Sequence, residues 1–132
     1  MRFLVPVGRV LFCLIFVVAA GRHFTEEGIH HAASLGVPLA GFLVPLSGVI
    51  AILGGISVAI GYKARWGAWL LVAFLLPVTV MMHAYWKIAD PSAAKVQQAM
   101  FAKNVSMLGA ALLLTQFGAG GISLDSRRGR RT

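Results

Sequence analysis

The chain has 132 residues, of which 58% are hydrophobic and only 12% charged, and its net charge is +8. A soluble domain carries about twice that charged fraction, so this much apolar surface excludes an ordinary water-soluble fold and favours a lipid environment. Apart from SRRGRR near the C-terminus, the basic residues are scattered between apolar blocks. The charge therefore favours a membrane surface over nucleic acid as the partner.

The first apolar block covers residues 3–22 and contains one charge in its interior, Arg9, while Arg22 is its last residue. The block is either a retained membrane helix or part of a signal peptide, in which residues 1–20 end in the small-residue cleavage site VAA. In a retained helix, two positions of the Arg9 guanidinium are expected. Either the side chain extends to the cytoplasmic interface, or it turns inward and pairs with a backbone carbonyl or with Asp125.

The stretch TEEGIHHAASLG predicts a short interfacial helix between the first and second blocks. Thr25 is a favourable N-cap, acidic residues occupy the first turn, and Gly36 is a stop signal.

Acidic and histidine residues in this short helix are candidate metal ligands. They lie four residues apart in two pairs, so each pair shares one helix face. Carboxylate and imidazole groups bind zinc and other divalent metals, and His83 is a candidate further ligand. The alternative is that the pairs only support a short hydrated helix. The four candidates are Glu26, Glu27, His30 and His31.

Three more apolar blocks follow, predicted as helices over 37–61, 66–86 and 91–118. A membrane helix needs roughly 20 mostly apolar residues, which each block supplies. The link YKAR makes the second and third helices antiparallel neighbours, and Asp90 followed by Pro91 is a favoured start for the fourth. The predicted fold is an all-α membrane protein. A bundle of four transmembrane helices occupies residues 1–121, and a basic cytoplasmic tail follows over 122–132.

The distribution of Lys and Arg predicts the orientation of this bundle. One side carries seven of these residues outside the first block and the other side four. Because cytoplasmic loops carry the excess, both termini are predicted to be cytoplasmic. The seven are Arg2, Lys63, Arg65, Arg127, Arg128, Arg130 and Arg131, and the four are Arg22, Lys87, Lys95 and Lys103.

Polar residues near the helix ends are candidates for a ligand pocket. An apolar cleft with a few polar groups and an aromatic wall suits a quinone-like or other small aromatic ligand. Haem or a divalent metal is a weaker alternative, because no spacing in the chain demands axial ligands. The same residues are equally explained as headgroup-level side chains and an aromatic belt. The candidates are Arg9, His83, Trp86, Lys103 and Asn104.

The chain resembles the DoxX family of small bacterial membrane proteins. The resemblance rests on the order of GRVLFCLIFVVAAGRHF, GVPLAG, AILGGISVAIG followed by YKARWGAW, MMHAYW, FAKNVSMLGAALLL and the final SLD. The resemblance implies a four-helix fold in the bacterial inner membrane. It also implies that relatives keep an arginine at this point of helix one, and this favours the inward position of Arg9. Many relatives carry a glutamate where Ala51 stands, so a proton-handling role for that acid is not expected here.

The resemblance also implies a function, a small subunit or accessory of a quinone-linked or oxidative-stress redox system. Its expected partners are the lipid bilayer, a membrane or periplasmic redox protein, and a second copy of the chain. The alternative is a non-catalytic scaffold or assembly factor that recruits partner proteins. No Ser/His/Asp order, nucleotide-binding glycine loop or pair of intramembrane acids points to an autonomous enzyme.

Overall fold

The computed structural model describes residue 1 and residues 3–129, and these are helical with no β-strand among them. The all-α prediction is therefore confirmed. Short 3₁₀ turns over Gly21–Phe24 and Tyr85–Lys87 follow two of the helices. The α-helices in chain order are α1 (Leu4–Ala20), α2 (Glu26–Ser34), α3 (Ala40–Ile60), α4 (Ala64–Met82), α5 (Pro91–Phe117) and α6 (Leu124–Gly129).

Both predicted helix starts are present. The Thr25 hydroxyl accepts a hydrogen bond from the Gly28 amide at 3.1 Å, and Asp90 Oδ2 accepts one from the Ala93 amide at 2.8 Å. These caps bind backbone donors that the first turn of a helix leaves free.

The segment predicted as a basic tail contains α6 at residues 124–129. Residues 130–132 of that segment lie outside the described residues, as does Arg2.

Three segments of the described chain are long and apolar enough to cross a membrane, namely Leu4–Phe24, Ala40–Ile60 and Ala64–Lys87. Their outward side chains include Leu11, Val18, Leu53 and Val80, each more than half exposed. Such a surface is costly in water and suits lipid. The protein is thus a multi-pass membrane protein.

The long helices pack in chain order, α1 on α3, α3 on α4 and α4 on α5. Small residues let α3 and α4 approach closely. A Cβ placed on Gly54 would lie 2.9 Å from the Gly67 carbonyl oxygen, so no larger residue fits without a shift. Leu71 and Leu75 of α4 belong to the shared core and are the largest fully buried side chains among the described residues.

Candidate functional site

Arg9 lies in the first half of α1 and is 5% exposed. Its Nη1 donates to the Ala119 carbonyl, and its Nη2 donates to the Ile122 carbonyl at 2.9 Å. Its Nε is buried and has no hydrogen-bond partner among the described residues. Of the alternatives for Arg9, the structure shows the inward one with carbonyl partners, and the side chain ties α1 to the chain that follows α5.

Asp125, the other predicted partner of Arg9, instead caps α4. Its Oδ1 accepts from the Lys63 amide at 2.7 Å and its Oδ2 from the Ala64 amide at 3.0 Å, while its own amide donates to the Gly61 carbonyl at 2.8 Å. A carboxylate at this position binds two free donors and interacts favourably with the positive end of the helix. Arg9 and Asp125 thus bring the start of α1, the α3–α4 turn and the last described segment to one end of the molecule.

Replacing Asp125 by alanine is expected to lower the free energy of unfolding by about 1 kcal/mol, because two helix-start amides lose their acceptor. Reversible unfolding in detergent, followed by circular dichroism, measures this change. Asp125→Asn keeps one acceptor oxygen and is the matched control, with a smaller loss expected. Equal stability of Asp125→Ala and the wild type would contradict the capping role.

His23, in the 3₁₀ turn after α1, makes contacts that were not predicted from the sequence. Its Nδ1 lies 2.9 Å from Ser47 Oγ and 3.3 Å from the Val44 carbonyl oxygen, and its ring centroid is 5.6 Å from that of Phe74. The side chain therefore links the end of α1 to α3 and α4. The position of a histidine directly after an apolar helix was the available indication of such a contact. Its hydrogen-bond partners, however, lie 21 and 24 residues away along the chain, so the sequence did not identify them.

The predicted metal ligands are not brought together. Among the described residues, no group of three or more His, Cys, Asp or Glu side chains is placed to hold a metal ion. The four side chains of Glu26, Glu27, His30 and His31 are all exposed on α2. His83 does not join them, since it hydrogen-bonds Gln97 of α5.

Three of the five predicted ligand-binding residues lie along the contact between α4 and α5. His83 Nδ1 donates to Gln97 Oε1 at 2.7 Å, at the end of α4. Trp86 packs edge-on against Phe101 of α5, with ring centroids 5.8 Å apart. Asn104, three residues further along α5, is 4% exposed.

The other two predicted residues do not belong to this group. Arg9 lies at the opposite end of the bundle, among carbonyls of the segment after α5. Lys103 is exposed, and its Nζ lies 3.6 Å from the Met100 sulfur on the same helix. Of the predicted ligand-binding residues, His83, Trp86 and Asn104 therefore lie along the contact between α4 and α5, where His83 contacts Gln97 and Trp86 contacts Phe101.

The contact between α4 and α5 combines hydrogen-bonding groups with an aromatic wall. We call it the polar seam and define it by five residues, His83, Trp86, Gln97, Phe101 and Asn104. Tyr85 extends this wall. Its ring centroid is 5.2 Å from that of Trp86 and 5.6 Å from that of Phe101, both edge-on. Asn104 is 4% exposed, and its amide makes no hydrogen bond to another described residue. Among the described residues, the buried side-chain polar atom without a partner is Arg9 Nε, so the Asn104 amide is not fully enclosed.

Comparison with known proteins gives a consistent relationship over nearly the whole chain. The model of the SURF4 family matches residues 2–130. Inner membrane protein YphA of Escherichia coli (strain K12) is 31% identical over 126 residues, covering 94% of this chain and 89% of that protein. Surfeit locus protein 4 homolog of Drosophila melanogaster is 30% identical over 76 residues, which are 55% of this chain and 27% of that longer protein. No solved structure gives a significant match.

These matches correct the resemblance to the DoxX family, which is wrong. The segments that suggested it are apolar runs with small residues, and lipid contact and close helix packing select such runs in unrelated membrane proteins. The redox subunit or accessory function rested on that resemblance and is wrong with it. The comparisons give no support to the alternative of a recruiting scaffold or assembly factor. The chain belongs to the SURF4 family.

Proposed function

We propose that this protein crosses the inner membrane four times with both termini in the cytoplasm, and that it binds an amphipathic, lipid-soluble ligand at the polar seam between α4 and α5. The observation that carries the binding function is Asn104, a residue that is 4% exposed and whose amide makes no hydrogen bond to another described residue. The relative YphA, named as an inner membrane protein, supports the location.

The fourth crossing is proposed for α5. This helix has 27 residues, so it is about 40 Å long by the helical rise and exceeds the hydrocarbon thickness. It packs against α4, itself long and apolar enough to cross, and its outward Leu113 is 61% exposed, as a lipid-facing residue is. The exposed Lys95 lies in its first turns, which extend beyond the hydrocarbon.

The orientation follows from the charges at the two ends. The contacts of Arg9 with Ala119 and of Asp125 with Lys63 support a position of both chain ends on the same side as the α3–α4 turn. That side carries seven Lys and Arg residues outside α1 in the sequence, against four on the other side, and the richer side faces the cytoplasm. The polar seam then lies towards the outer surface, because His83 and Trp86 follow the far end of α4.

The chemistry of the seam defines the ligand class. A carboxamide has N–H donors and an acceptor oxygen, so it can donate to a ligand carbonyl, or both donate to and accept from a ligand amide or hydroxyl. Phe101 lies on the same face of α5 as Gln97 and Asn104, since the three are spaced by four and three residues. A ligand with one polar group and an apolar ring or chain therefore fits, with the polar group at Asn104 and the apolar part against Phe101 and Trp86.

Replacing Asn104 by leucine tests this function through two measurements with opposite expected signs. Without ligand, the variant is expected to be more stable by about 1 kcal/mol, because an amide that makes no hydrogen bond within the protein is replaced by an apolar group of similar size. The second measurement uses a benzophenone-labelled fatty-acid amide as the photoreactive probe. Probe labelling of the peptide containing residues 97–104 is expected to fall about fivefold or more, which corresponds to the loss of about 1 kcal/mol of binding.

Ser106→Ala is the matched control, because Ser106 is exposed and its hydroxyl bonds only the Ala102 carbonyl of the same helix. It is expected to leave both stability and labelling unchanged. If Asn104→Leu is less stable than the wild type and is labelled equally well, Asn104 is a structural residue and the proposed function is wrong.

A further inference from the structure

A basic cleft of about 570 Å³ opens where the α3–α4 turn meets the chain after α5. Lys63 and Arg65 form its cationic wall, Trp66 and Phe117 form its apolar wall, and the glycine-rich segment 118–121 lies between them. The cleft is at the end of the molecule opposite the polar seam, so it does not depend on the ligand binding proposed there, whereas its position on the cytoplasmic side rests on the orientation in the proposed function.

The cations of the basic cleft have no described carboxylate as an ion-pair partner. Asp125 is the acid in its lining, but both oxygens of that carboxylate accept backbone hydrogen bonds from Lys63 and Ala64, at 2.7 and 3.0 Å. The Lys63 ammonium lies 5.9 Å from the Tyr62 ring centroid. Arg65 Nε would lie 3.4 Å from a Cβ on Gly118, so the arginine side chain extends over the glycine-rich segment. The lining therefore presents positive charge to an incoming anion.

The aromatic residues place the cleft at the depth of lipid head groups. Trp66 is in the first turn of α4 and is 73% exposed, and Phe117 is the last residue of α5 and is 78% exposed. Tryptophan at the end of a membrane helix typically lies at the head-group level. The two rings thus offer apolar surface beside the cationic wall, on the membrane side of the cleft.

A second basic surface adjoins this end of the molecule. Tyr62, Leu124, Arg127 and Arg128 line a smaller cleft of about 350 Å³, where the Arg128 guanidinium lies 5.0 Å from the Tyr62 ring centroid. Both clefts border α6, so the field at this end attracts anions from the adjacent leaflet.

We propose that the basic cleft binds the phosphodiester head group of an anionic glycerophospholipid. Lys63 and Arg65 contact the phosphate, and the acyl chains leave along Trp66 and Phe117. Basic pockets between membrane helices on the cytoplasmic side are suited to such head groups. A guanidinium matches the geometry of phosphate oxygens, and an ammonium adds a compact charge.

Native mass spectrometry of the full chain tests this proposal. The protein is released from micelles containing equal amounts of phosphatidylglycerol and phosphatidylcholine, and the retained copies of each lipid are counted. The wild type is expected to retain phosphatidylglycerol over phosphatidylcholine by about tenfold. Lys63→Asn combined with Arg65→Gln is expected to abolish this preference. Asparagine is chosen because Lys63 has a φ of 47°, which asparagine tolerates.

Lys95→Gln is the matched control, since it removes one exposed positive charge at the other end of the bundle and is expected to keep the preference. Arg65→Gln alone, at an exposed side chain, replaces the double variant if that variant does not fold. Equal retention of the two lipids by the wild type would overturn the proposal, as would an unchanged preference in the folded variant. A further measurement compares the thermal stability of the protein with millimolar inorganic phosphate and with phosphatidylglycerol. If inorganic phosphate stabilises the protein as much as the lipid does, the cleft binds free phosphate and the lipid assignment is wrong.

Discussion

Replacing Arg9 by leucine is expected to lower the free energy of unfolding by about 3 kcal/mol. The substitution removes two hydrogen bonds from a charged donor, each worth about 1.5–3 kcal/mol, and leaves the Ala119 and Ile122 carbonyls without their donor. Part of this loss is offset because a buried charge is also removed. Unfolding of the purified protein in mixed micelles, monitored by circular dichroism, measures the change.

Two variants control this experiment. Arg22→Leu removes an exposed arginine from the far end of the same membrane-crossing segment and is expected to change stability by less than about 0.5 kcal/mol. Arg9→Lys keeps the charge but lacks the guanidinium fork that reaches two carbonyls, so it is expected to recover only part of the loss. If Arg9→Leu unfolds at the same denaturing condition as the wild type, Arg9 does not hold α1 and the segment after α5 together.

Replacing Gly61 by alanine is expected to lower the free energy of unfolding by about 2–5 kcal/mol, through two separate effects. Gly61 has a φ of 71°, a left-handed conformation that costs any other residue about 1–2 kcal/mol. In addition, the new Cβ would lie 2.5 Å from Ser123 Cβ and 2.7 Å from Arg9 Nη1, so the Arg9 contacts must shift, at a further 1–3 kcal/mol or so. The same unfolding measurement applies.

Gly109→Ala is the control for the glycine substitution. A Cβ at this helical position meets nothing within 4 Å, so the variant is expected to be neutral or slightly stabilising. Because Gly61 and Arg9 are in contact, the double variant Gly61→Ala/Arg9→Leu is expected to lose less than the two single losses added together. Strict additivity would show that the two residues do not share one packing site.

The local features of the fold were predictable because their partners are close in sequence. The caps at Thr25 and Asp90 each join residues three positions apart. The Gly36 stop signal is also present, as a positive φ of 89° just after α2. Apolar runs of about 20 residues likewise identify membrane helices without any knowledge of their packing.

The candidate site was predictable only in part. His83, Trp86 and Asn104 were selected as polar or aromatic residues near the ends of apolar helices, and the antiparallel contact of α4 with α5 brings them onto one seam. Arg9 and Lys103 satisfied the same criterion and do not belong there. A sequence pattern gives the depth of a residue along a helix, whereas the rotation of each helix decides which side chains meet.

What the sequence by itself determined is the all-α membrane character, most helix positions and the short capped helix α2, since these depend on composition and on contacts within a few residues. The tertiary structure alone decided that Arg9 binds carbonyls 110 and 113 residues away, and that Asp125 caps a helix beginning 61 residues earlier. Such contacts depend on how the helices are aligned and rotated against one another. That alignment is set by close packing at small residues such as Gly54 and Gly61, and local propensity does not encode it.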